Sequence, residues 1–327
     1  MKSKSPQQSL FEGQEQPNLF DPIDQNRVES MVKFWIERHK IYLRKSTGRA
    51  KPWTKDQFLQ TYRFCNIYRE LDTVSKWVRD HVIKPYEDHE DLWFMLAVCR
   101  MINWPETLQE MMDQGVWPEE RWNSDKVYRV LNARKARGVK IITGAYIVNT
   151  VFPKHFPKKE GSKVEYLSYI GFTPMWKDRE QIRDGFHSTM EDSVMTFRQY
   201  HGWGSTFMPY QVTVDLTYSN RWLGKSPDLN TYVSPGPGTQ RGLHRILNGH
   251  PKPTNRVSDQ GDLLRTLLHE VNSEARRVLP KNAWTGSYET GFVDLTMSNL
   301  HNLCCEYDKY CRLISGTGEP RSRYPGR

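Results

Sequence analysis

Residues 51–72 read KPWTKDQFLQTYRFCNIYRELD, and this stretch says most about the fold. Thr54, followed three residues later by Gln57, has the form of a capping box, which starts a helix. We predict that this helix runs to about Asp72. The same argument, carried outward along the chain, predicts a mainly α-helical protein.

The predicted helix over 54–72 carries a mixed stripe of side chains. Leu59, Tyr62, Asn66 and Arg69 follow one another at steps of three and four residues, so they share one face. Two polar side chains thus continue an apolar face, and a buried guanidinium needs a partner. Asp72 or a bound phosphate would supply one for Arg69. A purely structural Arg–Asp pair explains the pattern equally well.

Helical periodicity recurs along the rest of the chain. It predicts helices over 34–43, 91–103, 124–137, 178–200, 259–278 and 293–314, with a looser stretch over 140–172. The segment 224–255 is rich in Gly and Pro, so we predict an ordered loop there.

The first 26 residues are rich in Gln, Ser, Pro and Asn and lack a helical period, which predicts a disordered tail. Within it, QQSLF (7–11) and QPNLF (16–20) resemble the Gln-x-Ser/Asp-Leu-Phe peptide by which bacterial replication proteins dock on the sliding clamp. A Leu-Phe anchor suits an apolar pocket, although such short motifs also arise by chance. Residues 27–327 are predicted to form one helical domain with two lobes, about 27–140 and 141–327.

Composition excludes several classes of protein. A chain of 327 residues with 37% hydrophobic and 12% aromatic residues can bury a sizeable core. The longest apolar run, LWFMLAV (92–98), is far shorter than the ~20 residues of a membrane span, and no export signal is visible. Five Cys without a CxxC pair indicate a reduced, intracellular setting. We expect a soluble cytosolic protein without a cofactor.

The charge is unevenly distributed. The formal net charge is +9, and since the first 26 residues carry −2, the remainder carries +11. Basic side chains cluster at 134–137, where Arg134 and Arg137 lie, and the chain contains eleven Trp and sixteen Tyr. A basic surface with flat rings fits a nucleic acid, and Arg134 and Arg137 are predicted to contact DNA. Ordinary solvated cations with aromatic residues in the core would give the same composition.

The sequence HGWG (201–204) lies between two predicted helices, as in a helix-hairpin-helix element. There, glycines let backbone N–H groups approach a DNA phosphate at a helix N-terminus. Gly202, Trp203, Gly204 and Ser205 are therefore predicted DNA contacts, although a Gly-rich connector between helices is a commoner explanation. The predicted fold is accordingly a mainly α, multi-helix, DNA-glycosylase-like domain.

Asp215 follows Gly204 by eleven residues, at the far end of the second helix. A carboxylate there opposes the helix dipole, which indicates that it has a partner or a task. DNA glycosylases of the helix-hairpin-helix class carry an essential Asp downstream of the hairpin, though usually at a longer spacing.

Other chemistries are excluded or disfavoured. Ser219 stands where the first Gly of a P-loop ending in GKS (224–226) would belong, so nucleotide binding is not expected there. The His and Cys residues show neither HExxH nor HxE…PCxxC spacing, so no metal site is predicted. Cys304 and Cys305 could offer a thiolate beside Lys309, but buried, inert cysteines are the better interpretation.

Four blocks of sequence resemble one known family. They are residues 51–72, WGSTFMPYQVTVDLTY (203–218), PGPGTQRGL (235–243) and LCCEYDKYCR…GTGEPRSRY (303–324). In this order they resemble the helical domain shared by phage 5-hydroxymethyluracil DNA kinases and alpha-glutamyl/putrescinyl thymine pyrophosphorylases, over about residues 27–324. The kinases of this group carry a P-loop domain, which this sequence does not show. The chain is therefore more similar to the other branch, described as amino acid:DNA transferases.

The resemblance implies a bacteriophage enzyme that modifies DNA in the host cytoplasm. It would act on double-stranded DNA containing 5-phosphomethyl- or pyrophosphomethyl-deoxyuridine. There it would replace the phosphate with the amine of a free amino acid, such as glycine, or of a polyamine. This step belongs to thymidine hypermodification, which shields viral DNA from host nucleases. The enzyme would flip the nucleotide into a pocket to reach the reacting carbon.

The chemistry assigns roles to particular residues. The departing phosphate needs Arg, for which Arg241 and either Arg63 or Arg69 are candidates. The amine must lose a proton to attack, so a carboxylate base is expected, and Asp215 and Glu306 are the candidates.

Further residues complete the predicted pocket. Lys309, one turn after Glu306, would pair with it or hold an amino-acid carboxylate. Asn66 and Gln211 carry the donors and acceptors that suit a uracil edge. The remaining predicted substrate-binding residues are Asp72, Tyr210 and Gln240. A Cys304 or Cys305 thiol that adds to C6 of the ring is a less favoured alternative.

Two other functions are compatible with the same residues. A glycosylase-like enzyme would excise a modified base through Asp215. A non-catalytic reader would only bind modified thymine in DNA, and Asp215→Ala should leave that binding intact.

Overall fold

The computed structural model describes residues 23–144, 150, 152–154, 156, 161–185, 189–252, 260–318 and 323–324. These residues form helices and loops without a β-strand, and isolated bridges pair Tyr62 with Arg323 and Trp284 with Phe292. The predicted mainly α-helical class is therefore confirmed. The α-helices are α1 (Gln25–Ser46), α2 (Gln57–Thr61), α3 (Thr73–Val78), α4 (Leu92–Ile102), α5 (Pro105–Asp113), α6 (Ser124–Ala136), α7 (Lys163–Glu165), α8 (Thr173–Lys177), α9 (Arg179–Gly185), α10 (Met190–Arg198), α11 (Phe207–Leu216), α12 (Pro237–Asn248), α13 (Gln260–Val278) and α14 (Met297–Ile314).

Most predicted helices are confirmed, and their ends have local causes. α1 begins where Asp24 accepts a hydrogen bond from the Asn26 N–H, and α14 begins where Thr296 accepts one from the Asn299 N–H. α6 ends before Gly138, whose φ of 71° lies in the left-handed region that favours glycine. Helices α4 and α13 agree with the predicted bounds within a few residues, and the stretch 178–200 divides into α9 and α10.

The predicted helix over 54–72 is wrong. Asp56, not Thr54, caps α2, which ends at Thr61. An irregular segment over 62–68 follows, and a single 3₁₀ turn spans Arg69–Leu71. The stripe of side chains therefore does not lie on one helix face.

The predicted loop over 224–255 is also wrong, because it contains α12. Pro237 occupies the first turn of this helix, where proline is tolerated. Two glycines inside α12 let it lie directly against α14. A Cβ on Gly238 would lie 2.5 Å from the Cys305 sulfur, and one on Gly242 would lie 2.0 Å from the Cys304 carbonyl oxygen.

The buried apolar side chains form two clusters. The first is supplied by residues between Val78 and Leu223 and is centred on α4, whose eleven residues are all buried. The second combines residues 28–71 with residues 243–313, from α1, α12, α13 and α14. The predicted lobe boundary near residue 140 falls inside the segment that builds the first cluster, and the division into lobes stays a prediction.

Two further expectations concern the chain as a whole. The two clamp-like peptides at 7–11 and 16–20 lie outside the described residues. Among the helices that the structure describes, none combines the length and the apolar character that crossing a membrane requires.

Candidate functional site

The irregular segment 62–68 is held in place by side chains from distant helices. Asn299 accepts the Arg69 N–H (2.9 Å), Asn302 donates to the Asn66 carbonyl (2.5 Å), and Glu306 accepts the Cys65 N–H (2.8 Å). These three α14 residues lie on one stripe of the helix. From α1, the buried Arg38 donates to the Phe64 carbonyl (2.8 Å). The segment therefore obtains its backbone hydrogen bonds from side chains and not from a helix.

Charged groups converge where this segment meets α14. We define the loop–helix site by Cys65, Asn66, Asp72, Glu306 and Lys309. Lys309 Nζ lies 2.5 Å from Glu306 Oε2, and both side chains are largely buried. Asp72 Oδ1 accepts the backbone N–H of Asn66 (2.8 Å) and its side-chain amide (3.2 Å). The sequence predicted four of these five residues, and the structure brings them together.

The ionisation of the loop–helix site follows from burial and charge. Burial raises the pKa of Asp72 to about 6, and the nearby Glu306 charge acts in the same direction. Burial alone would lower the pKa of Lys309, but the charge and hydrogen bond of Glu306, together with Cys65 and Cys305, outweigh it and the pKa is raised. The buried Arg38 also acts on Asp72, and its positive charge lowers the pKa of that carboxyl.

The cysteines of this region are protonated thiols at neutral pH. The charges of Glu306 and Asp72 raise the pKa of the exposed Cys65 well above its ordinary value. Burial raises the pKa of Cys305 to about 11, and it also raises the pKa of the fully buried Cys304. A thiolate is the nucleophile in cysteine chemistry. The alternative of a Cys304 or Cys305 adduct on the base is therefore unsupported by the structure.

Arg241 lies on α12 and pairs with Asp308 of α14. Its Nε donates to Asp308 Oδ2 (2.8 Å), while Arg245 Nε donates to Asp308 Oδ1 (2.8 Å). Asp308 is fully buried, but 41% of the Arg241 side chain is exposed. Part of this guanidinium is thus available to an anion, and its role in phosphate binding stays a prediction.

Arg69 and Asp215 meet in a buried network. Arg69 donates to the Gln211 side chain, to the Gln211 carbonyl (3.2 Å) and to Asp215 Oδ1 (3.3 Å). Arg100 on α4 donates to both carboxylate oxygens of Asp215, at 2.6 Å for Oδ1, and to Ser75 Oγ (3.1 Å). Asp215 is 0% exposed, Arg100 3% and Arg69 8%. The expected partner of Asp215 therefore exists and is a pair of arginines, whereas Arg69 does not pair with Asp72.

This burial changes the interpretation of Asp215. A carboxylate enclosed by two guanidinium groups is held as a structural anion. Its predicted role as a solvent-accessible base finds no support in the structure. Glu306 and Asp72 belong to the loop–helix site, which includes the exposed Cys65.

The other predicted substrate-binding residues are dispersed. Tyr210 is buried, its hydroxyl has no hydrogen-bond partner within the described residues, and its ring packs on His301 at 5.2 Å. Gln240 donates to the Pro235 carbonyl (3.0 Å) and lines an open groove of about 540 Å³. Arg63 is exposed, two residues before Cys65.

The predicted DNA contacts differ in accessibility. α10 and α11 flank the turn at 201–204, so the predicted helix–turn–helix order is present. Trp203 is fully buried and donates its indole N–H to the Gly171 carbonyl (2.9 Å), which makes it a core residue. Gly202 is needed for packing, since a Cβ there would lie 2.0 Å from the Tyr166 hydroxyl. Gly204 and Ser205 are exposed, and their contact with DNA stays a prediction.

Arg134 and Arg137 both pair with Glu110 of α5. Arg134 Nη1 lies 2.6 Å from one carboxylate oxygen of Glu110, and Arg137 Nη2 lies 2.5 Å from the other. Arg134 is buried, whereas about half of the Arg137 side chain is exposed. These arginines therefore join α6 to α5, and only Arg137 retains surface for a phosphate.

Sequence reasoning missed Arg100, Cys65 and the α14 asparagines Asn299 and Asn302. Arg100 had a visible signal, because it is the one charged residue in the apolar run 92–102. The asparagines had none, since their partners lie more than two hundred residues away. Across the described part of the chain, no group of three or more His, Cys, Asp or Glu side chains is arranged to hold a metal ion.

Comparison with known proteins identifies a family that this chain resembles. A family model described as the helical domain of 5-hmdU DNA kinase matches residues 25–319. A 5-hmdU DNA kinase of Bacillus phage SP10 is 27% identical over 293 residues, an alignment that covers 84% of this chain. The chain spans 43% of the length of that curated relative. No solved structure matches the chain.

Proposed function

The chain belongs to the family of the 5-hmdU DNA kinase helical domain, and on that premise we propose that it takes part in phage modification of thymine in DNA. More specifically, we propose a transferase that replaces the phosphate of 5-phosphomethyl-deoxyuridine with an amine. The incoming amine belongs to a free amino acid or a polyamine. The kinase of Bacillus phage SP10 supports the link to a modified deoxyuridine, because 5-hmdU stands in its name.

The observation that carries the proposal is the composition of the loop–helix site. Its two carboxyl groups, Asp72 and Glu306, are acceptors for an ammonium ion, the form in which amino acids and polyamines arrive. Asp72 has a pKa of about 6, near the pH of the cell, which suits a general base. It would take the proton that the amine must lose before attack. Glu306 and Lys309 would orient the amine and any carboxylate beside it.

The leaving phosphate needs positive charge at the edge of the same site. Arg241, on the neighbouring helix α12, keeps an exposed portion of its guanidinium and is fixed by Asp308. Arg63 is exposed two residues from Cys65. A fixed guanidinium is suited to hold phosphate oxygens as negative charge develops on them.

Nucleoside mass spectrometry tests the proposal. Duplex DNA containing 5-phosphomethyl-deoxyuridine is incubated with the protein, the proteinogenic amino acids and putrescine, and is then digested to nucleosides. We expect a nucleoside in which one amine has replaced the phosphate, and no change in a control duplex that contains only thymidine. Unchanged nucleoside despite tight binding would refute the transferase in favour of a reader. Release of the free modified base would refute it in favour of a glycosylase.

A further inference from the structure

A cationic surface with aromatic rings adjoins the loop–helix site. We call it the cation–aromatic surface and define it by Lys45, Lys51, Trp53, Arg63, Arg323 and Tyr324. The four basic side chains are exposed, and the two rings are half-buried. Its parts come from the end of α1, from the loops around α2 and from the C-terminal segment. Arg323 bridges to Tyr62, and the Tyr324 N–H donates to the Thr61 carbonyl (2.9 Å).

The rings hold the cations in place. Lys51 Nζ lies 5.3 Å from the centre of the Trp53 ring and 5.5 Å from that of Tyr324. Lys45 lies over Trp53 at 5.8 Å, and Arg63 lies over Tyr324 at 5.7 Å. Trp53 and Tyr324 contact each other edge to face. Such contacts restrain a charged side chain without neutralising it.

Carboxylates do not compensate this charge. In the part of the chain that the structure describes, no acidic side chain forms an ion pair with Lys45, Lys51 or Arg63. Asp56, which lies in the same region, is occupied by the Phe58 and Leu59 N–H groups and by the Tyr310 hydroxyl. Several exposed cations that are held by aromatic rings are complementary to a regularly spaced polyanion.

We propose that the cation–aromatic surface binds the DNA phosphates that flank the nucleotide held at the loop–helix site. Arg63 joins the two regions, since it lies two residues before Cys65, and Lys309 of the site lies over the Phe64 ring at 4.7 Å. The identity of the polyanion as DNA rests on the proposed function. This surface is a different location from the predicted contacts at Gly202–Ser205 and on α6.

The test is DNA affinity, measured by fluorescence anisotropy on a labelled, unmodified duplex without amine. The variant is Lys45→Gln, Lys51→Gln, Arg63→Gln. The matched control, Lys177→Gln, Lys225→Gln, Lys281→Gln, removes the same charge from exposed positions elsewhere. We expect the variant to bind about tenfold more weakly or worse, and the slope of log affinity against log salt to fall by about three, close to one per phosphate contact. The control should bind like wild type.

Two results would overturn the proposal. Equal losses in both triple variants would assign the effect to bulk charge, and wild-type affinity in the first variant would place the DNA elsewhere. Because no transfer is measured, failure of the proposed function is a separate outcome. If the protein binds DNA through this surface but transfers no amine, the DNA-binding proposal stands and the transferase proposal fails. Melting curves of both variants confirm that loss of affinity is not loss of folding.

Discussion

The substitution Asp215→Asn distinguishes a structural role of this carboxylate from a catalytic one. Asn keeps the shape of the side chain but removes the charge that faces Arg69 and Arg100. Both guanidinium groups, which are 8% and 3% exposed, would then lose the carboxylate that they share. Arg69 would retain Gln211, and Arg100 would retain Ser75 at 3.1 Å.

The expected loss follows from this geometry. Removing one partner of a buried ion pair costs about 3–5 kcal/mol, because an uncompensated charge remains. For a chain of this length that corresponds to a fall in melting temperature of roughly 4–7 °C. Thermal unfolding at one fixed scan rate measures it. The matched double variant Arg100→Met, Asp215→Asn should lose less stability than the sum of its single variants, since both charges are removed together.

The opposite result would refute the reasoning. If Asp215→Asn melted within about 1 °C of wild type, as ordinary surface substitutions do, the carboxylate would not balance the two arginines. Loss of turnover in such a stable variant would restore Asp215 as the catalytic base. Because Asp215 faces two buried arginines, we expect Asp215→Ala to unfold the protein. Loss of DNA binding in this variant would then report unfolding and would not exclude a reader.

Three other predictions concern packing, DNA contact and pH. Gly242→Ala should destabilise the protein by about 1–3 kcal/mol, because its Cβ would meet the Cys304 carbonyl oxygen at 2.0 Å and separate α12 from α14; unchanged chemical unfolding would contradict this contact. Gly204→Ala should not lower the melting temperature, since the space there is open, and weaker DNA binding by this variant would support the predicted hairpin contact, whereas wild-type affinity would not. Asp72 has a raised pKa in the folded state, so its contribution to stability is present below pH 4 and is lost as pH rises to about 6; Asp72→Asn should flatten stability over that window, and an unaltered pH profile would argue against the buried carboxyl.

Local sequence was sufficient for the regular helices. α1, α6 and α14 combine apolar periodicity with an N-terminal capping side chain, so their causes lie within the segment itself. The class of the fold follows from these elements.

The parts of the fold that the sequence did not predict depend on contacts between residues far apart in the chain. The segment 62–68 has a helical pattern, but its backbone bonds to Asn299, Asn302 and Glu306, which no local pattern encodes. α12 contains Gly238 and Gly242, which locally favour a loop and are needed where α14 approaches closely.

The sequence indicated which residues to consider for the candidate site, but not which of them lie together. Glu306, Lys309, Asn66 and Asp72 were proposed for the chemistry that the resemblance implied, and the structure places them together. Asp215 was placed with them, but it belongs to the buried network with Arg100. Which carboxylate is accessible depends on the packing of α4 against α11, and this packing is a tertiary property.

The most direct test of the account is the rate of amine transfer by Asp72→Asn at neutral pH, measured beside its melting temperature. The account predicts a rate lower than wild type by about a hundredfold or more, the usual contribution of a general base. The melting temperature should stay at or above that of wild type, because a buried charge is removed. A wild-type rate in this variant would contradict the assignment of the loop–helix site as the catalytic centre.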